Sequence, residues 1–291
     1  MQQTFTPLAA ACRAACHAVY RGPLVALAAA AALVASPAHA GFIVFESTGA
    51  DAAAITPTRD AFRSAIGGGT VAGANGSFGG VRREINWDGV PNGRADPNLL
   101  PANFFNVNSP RGAVFSTPGS GFLVSANGGQ PAPILFGFAS DFQVFSAQRL
   151  FTALNSPITD VRFFVPGTAT AAATSAFGLI FTDVEVAGGT RLDFFDANDA
   201  LLVGRDALAG LNHGLTFLGA VADAGERISR VRITSGVNTI VSNGVLGNST
   251  DDVVAMDDFL YAEPVALPSS HALVALGLAG LAWMRSRRRV G

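Results

Sequence analysis

From residue 113 onward the chain advances in short apolar, β-branched runs broken by glycine, proline, asparagine and aspartate, and this rhythm sets the fold class. The runs are Ala113–Thr117, Gly121–Ala126, Ile134–Phe138, Phe142–Phe145, Arg149–Thr152, Ile158–Val165, Ala176–Val186, Arg191–Asp196, Leu215–Val221, Ile228–Thr234 and Val253–Ala262. Each is of strand length, and turn-forming residues bound it. Val161, Phe163 and Val165 alternate with Arg162, which predicts a half-buried strand. Phe177–Phe181 is apolar on both faces and predicts a central one. Arg191–Asp196, the turn Ala197-Asn198-Asp199 and Ala200–Val203 predict a hairpin. Many short strands without intervening helices specify an all-β, antiparallel β-sandwich of jelly-roll-like form.

Upstream, Phe42-Ile43-Val44-Phe45 predicts a strand within Gly41–Ser47. One short helix follows, with Thr56 as N-cap, Pro57 in the first position, an apolar face of Ala61, Phe62, Ala65 and Ile66, and Gly67 as its end. Seven glycines lie between Gly67 and Gly80, but a Walker phosphate loop needs a lysine and the chain has none. Arg82-Arg83-Glu84-Ile85-Asn86-Trp87-Asp88-Gly89 is the densest polar stretch. It reads as an ion-paired loop whose tryptophan plugs the sandwich edge, or as a sugar-stacking platform in which Trp87 contacts a glycan. The stretch from there to Pro110 has no clear periodicity.

Residues 1–40 read as a secretory signal peptide. Arg13 and Arg21 are the only charges, Leu24–Ala35 is the apolar segment, Ser36-Pro37 breaks it, and Ala38-His39-Ala40 offers a small-x-small site for signal peptidase. Cys12 and Cys16 precede the apolar segment, which excludes a lipoprotein signal, and they are the only cysteines, so residues after 40 have no disulfide framework. All 19 basic residues are arginine; setting aside two in the leader and four near the C-terminus leaves 13 against 21 acids, a charge near −8. An acidic, exported domain of about 225 residues is long enough for one substantial core and is a poor partner for nucleic acid.

The C-terminal stretch has three parts: Glu263-Pro264 with Pro268-Ser269-Ser270, the apolar segment Ala272–Met284, and Arg285, Arg287, Arg288 and Arg289. This order resembles the PEP-CTERM sorting signal of Gram-negative bacteria, although the usual Pro-Glu-Pro triplet is not among these residues. The resemblance implies an exosortase as partner. The thirteen apolar residues make a helix of roughly 20 Å, extended by the arginine stems, with the basic end held at the cytoplasmic side. A plain membrane anchor that is never cut is the alternative. The expected organisation is a signal at 1–40, a β-sandwich at 41–262 and a sorting tail at 263–291, with a transmembrane helix at 272–284 and a basic end at 285–289.

A second resemblance rests on Leu192-Asp193-Phe194-Phe195-Asp196-Ala197-Asn198, Phe217-Leu218-Gly219, Glu226-Arg227-Ile228-Ser229-Arg230-Val231 and Met256-Asp257-Asp258-Phe259. This series is similar to exported jelly-roll domains that precede such tails, and it implies fold and location, not a ligand.

For chemistry, His213 is the only histidine between leader and tail, so multi-histidine and thiolate zinc sites are excluded there. A serine triad would depend on His213, but no G-x-S-x-G elbow accompanies it, and a surface turn is the expected role. Calcium is the remaining metal expectation. Glu46 ends the first strand and Asp257 and Asp258 lie in the last, so paired termini would offer carboxylate oxygens. A regular strand points Asp257 and Asp258 to opposite faces, and a solvated strand end or arginine partners explain them equally. Three functions follow: a non-catalytic structural or adhesive protein of the envelope, surface or extracellular matrix, reached through the secretion machinery and transiently the inner membrane; a carbohydrate-binding module for extracellular polysaccharide; or a glycan-active hydrolase.

Overall fold

Strand alternation is obeyed most strictly in a five-stranded sheet made of β4 (Ala113–Ser116), β7 (Ile158–Phe163), β10 (Arg191–Phe195), β11 (Leu201–Asp206) and β13 (Arg230–Thr234). Leu192, Phe194, Val231, Ile233, Val161 and Phe163 are buried, while Arg191, Asp193, Arg232, Asp160 and Arg162 alternate with them on the other face. The order is β11-β10-β13-β7-β4, every pair antiparallel. The computed structural model describes residues 41–125, 135–138, 140–241 and 252–267, all in one compact unit.

The second sheet has eight strands: β1 (Phe42–Gly49), β2 (Ser77–Phe78), β3 (Arg82–Ile85), β5 (Gly121–Val124), β6 (Phe151–Leu154), β9 (Ala176–Thr182), β12 (Leu215–Ala222) and β14 (Ala255–Ala262). Its order is β1-β12-β9-β14-β3-β2, with β6 also on β14 and β5 on β6. Phe177, Leu179 and Phe181 of β9 face the first sheet and share a core with Phe194, Val231 and Phe163, so the two sheets form a sandwich-like arrangement. Each buried phenylalanine there stabilises by about 1.5–3 kcal/mol relative to an exposed one.

The outer face of β9 is apolar because helix α1 (Ala52–Ile66) covers it. Phe62 drops onto the cross-strand pair Gly178 and Gly219, where a Cβ on Gly219 would meet its ring at 2.8 Å. Two glycines side by side thus make the seat for one helix residue. The helix begins a turn earlier than Thr56 predicts. Asp51 is the N-cap, accepting from the Ala54 N–H at 3.0 Å, and Pro57 lies inside the helix. The Thr56 hydroxyl instead donates to the Ala52 carbonyl. Gly67 ends the helix as expected, at φ +87° with its N–H on the Arg63 carbonyl.

Two predicted strands are absent for a visible reason. Leu135–Gly137 is a 3-10 turn with Phe136 at φ +59°. Around Phe142–Phe145, the Gln143 and Phe145 N–H groups bond to the Thr182 hydroxyl and the Asp257 carboxylate rather than to a neighbouring strand. Conversely, Arg82–Ile85 is a strand on β14, not a loop. The chain stays bonded to the sandwich past residue 262: the Glu263 N–H bonds to the Val81 carbonyl, the Glu263 carboxylate holds Arg83 at 2.7 and 2.8 Å, and β15 (Val265–Ala266) pairs with β8 (Ala172–Ala173) in a small two-stranded sheet of its own. Glu263 and Pro264 therefore belong to the folded domain. Among the described residues no helix is long and apolar enough to cross a membrane. The expected leader, with Ala38 and Ala40, and the tail residues Pro268, Ser269, 272–284, Arg285, Arg287, Arg288 and Arg289 lie outside the described residues.

Candidate functional site

The Asp257-Asp258 pair sits where β14 abandons regular register. Met256 is opposite Phe181 and Phe259 opposite Leu179 on β9, so two aspartates face a single partner position, a β-bulge. The bulge cancels the alternation that would separate the two side chains, and both carboxylates lie beside Ser146. Asp257 accepts from the Phe145 N–H at 2.6 Å, the Ser146 N–H at 3.2 Å, the Ser146 hydroxyl at 3.1 Å and the Asp258 N–H at 2.8 Å. Its backbone carbonyl accepts from the Trp87 indole at 3.2 Å. Burial, and next the Asp258 charge, push the Asp257 carboxyl well above its ordinary range. Burial raises Asp258 as well, and its Oδ1 is buried with no hydrogen-bond partner among the described residues.

The surroundings are charged but closed. Burial pushes Asp88 up to about 6 although the Arg149 N–H bond opposes it. Arg63 grips Glu84 at 2.8 and 2.6 Å, and Arg82 reaches the same carboxylate at 2.7 Å. Arg59 lies over the Phe145 ring at 4.8 Å. A carboxylate pair with separated pKa values suits general acid–base work only when a substrate reaches it. Asp257 is fully buried and Asp258 5 % exposed, and the Asp257 oxygens are occupied by the loop at 145–146. The pair is built as a loop clamp.

The same device recurs. Asp252 accepts from the Glu185 N–H at 2.9 Å, and Asp183 from the His213 N–H at 2.8 Å. Burial raises both carboxyls, Asp183 to about 7. His213 sits in a tight turn at φ +60°, consistent with the turn role expected of it.

Glu46 is not brought to Asp257 and Asp258. It lies on β1, separated from β14 by β12 and β9, with its carboxylate on Arg205 at 2.9 and 2.5 Å. Among the described residues no group of three or more histidine, cysteine or acidic side chains is gathered as a metal ligand set. Trp87 is 1 % exposed. Its indole stacks on Phe151 at 4.1 Å and meets Phe105 and Phe259 edge-on, so it offers no face to a sugar. The indole is consumed by the core because its N–H finds a carbonyl there.

Among the described residues, a concavity opens to solvent: a groove of about 530 Å³ between the helix end and the glycine-rich loop, lined by Asp60, Arg63, Ser64, Thr70, Phe78 and Arg82. Arg82 spans it, donating to the Gly67 and Gly69 carbonyls and lying 4.3 Å from the Phe78 ring centre. Gly68, at φ +97°, is required here, since a Cβ would come within 2.7 Å of the Phe78 carbonyl oxygen. The sequence signal for this groove is the glycine run bracketed by Arg63 and Arg82, which meet on the Glu84 carboxylate. Comparison with protein-family models, with curated proteins and with solved structures finds no match to this chain.

Proposed function

We propose that this chain is an exported, non-catalytic β-sandwich that works as a structural or adhesive component of the cell envelope, surface or extracellular matrix. The observation that carries it is the use made of the buried aspartates. Asp183, Asp252 and Asp257 each hold backbone N–H groups of a loop, so these acids are spent on shape instead of facing one another across a cleft. The arginine–aspartate face of the five-stranded sheet supports the same reading, because its charges are paired with one another instead of converging on a cleft. We read the two sheets, with neighbours distant in sequence, as jelly-roll-like. Export and sorting rest on the leader and tail patterns of the sequence.

A carbohydrate-binding role is the second reading, and the groove beside Phe78 and Arg82 favours it over the Trp87 platform. The test incubates purified protein with polysaccharide from the producing cells and measures both co-sedimentation and release of reducing ends. The structural reading predicts association with envelope or matrix fractions and no new reducing ends. Released reducing ends would establish a hydrolase and overturn it. Saturable binding to soluble oligosaccharide, lost in Phe78→Ala, would give the protein to the second reading.

A further inference from the structure

The first described residue is held in a way that gives its backbone nitrogen a chemical role. The Gly41 N–H donates to Glu226 Oε1 at 2.8 Å, and the Gly41 carbonyl accepts from the Asp223 N–H at 3.0 Å. Glu226 Oε2 is fixed by the Ala224 N–H at 3.1 Å, so the carboxylate is oriented before Gly41 arrives. The Asp223 carboxylate lies so close to the Gly41 backbone that any Cβ at position 41 would collide with it. Phe42 pairs with Ala222 directly beyond and packs on Phe194, which anchors the start of β1.

We propose that the turn at 223–226 is a receptor for the new N-terminus: cleavage after Ala40 turns the Gly41 amide into an ammonium, which Glu226 binds as an ion pair. This rests on the export reading above, and it adds what the cut does to the fold. An N–H donor already in place becomes a charged one, so a hydrogen bond to an ionised carboxylate gains the attraction of a full opposite charge. The charged groups on the receiving turn are Asp223, Glu226 and Arg227; Asp223 and Glu226 favour the ammonium, and Arg227 is exposed. Bonds from backbone N–H groups outweigh the effect of burial and hold the Glu226 carboxyl below its ordinary value, so it is ionised when the ammonium forms. Maturation thereby pins β1, the edge strand of the eight-stranded sheet, to the end of β12.

The absence of lysine makes the test clean, because the α-amino group is the only primary amine of the cleaved chain. The full-length gene is expressed with its leader in a Gram-negative host, and the processed protein is labelled with limiting amine-reactive ester at pH 7. Intact mass first reports the cut: a species starting at Gly41 is expected, a cut at another position overturns the clamp and leaves export standing, and a chain that still begins at Met1 overturns both. Labelling rates then isolate the clamp. A free α-amine titrates near 7.7–8.0, and raising that value by about half a unit slows labelling roughly threefold. Glu226→Gln is expected to restore the faster rate, while Glu185→Gln on another turn leaves the slow rate unchanged. Melting curves confirm that both variants are folded. Equal rates in Glu226→Gln and the parent, with the start at Gly41 confirmed, would overturn the clamp and leave export standing.

Discussion

The indole of Trp87 and the ring of Phe151 lie parallel, 1° apart in plane and 4.1 Å between centres. Trp87 sits at φ +65°, outside regular β geometry, just after β3, and that turn swings its side chain inward to Phe105, Phe115, Phe151 and Phe259. The residue most readily mistaken for a ligand platform is therefore a keystone of the core.

Trp87→Ala is expected to destabilise the domain by about 3–5 kcal/mol, the range for deleting a large buried aromatic ring. Chemical denaturation measures it. Trp87→Phe keeps most of the volume but leaves the Asp257 carbonyl without its indole donor, so a smaller loss is expected.

Gly219→Ala tests the seat of Phe62. The added methyl meets the ring at 2.8 Å, and overpacking of this kind costs about 1–3 kcal/mol. Combined with Phe62→Leu, which withdraws the ring edge, the second change is expected to cost less than it does alone. Strict additivity in the double variant would contradict the contact.

Asp183→Asn reports the buried clamp through pH. The carboxyl has an ordinary value of 3.8 and a folded value of about 7. Between these limits the folded chain keeps a proton that the unfolded chain has released, so this group's contribution to stability falls as pH rises from about 4 to about 7. Asparagine can still accept from the His213 N–H but cannot ionise. Relative to the parent, Asp183→Asn is therefore expected to melt several degrees higher at pH 8 than the same comparison gives at pH 5.

Asp160→Asn tests the opposite sign. Burial raises this carboxyl, but Arg232 and Arg230, at 2.7–3.0 Å, outweigh it and hold it below its ordinary value. Its stabilisation is present above pH ~4 and is lost as pH falls through the lowered value. A loss of about 1.5–3 kcal/mol is expected at pH 7, shrinking toward pH 3.

Ending the chain at Ala262 removes the Arg83–Glu263 fork and β15. A melting point several degrees below that of a chain ending at Leu267 is expected.

How much of this was legible in the sequence depended on whether the physics was local. Val161, Phe163 and Arg162 alternate, and the strand is there; Phe177–Phe181 is apolar on both faces, and β9 lies between a sheet and a helix. Gly67 ends the helix because its conformation is its own. The helix start is misplaced locally, with Asp51 and not Thr56 as N-cap, but the other misses involve remote partners. Phe142–Phe145 has the composition of a strand, but the Asp257 carboxylate, more than a hundred positions away, takes its N–H bond. Arg82-Arg83-Glu84 reads as a loop by charge, yet Arg63, Gly67 and Glu263 neutralise and bond those side chains so that a strand can form. The bulge that unites Asp257 and Asp258 is invisible to any rule of alternation, because it appears only in the pairing with β9.

The most direct test of the account is the intact mass of the protein recovered from the envelope and medium of the cells that make it, with cell-interior fractions run in parallel. Export to the surface or matrix predicts a species that begins at Gly41, retains Glu263 to Leu267, and is found in the envelope or medium. A chain beginning at Met1 and confined to the cell interior would contradict it.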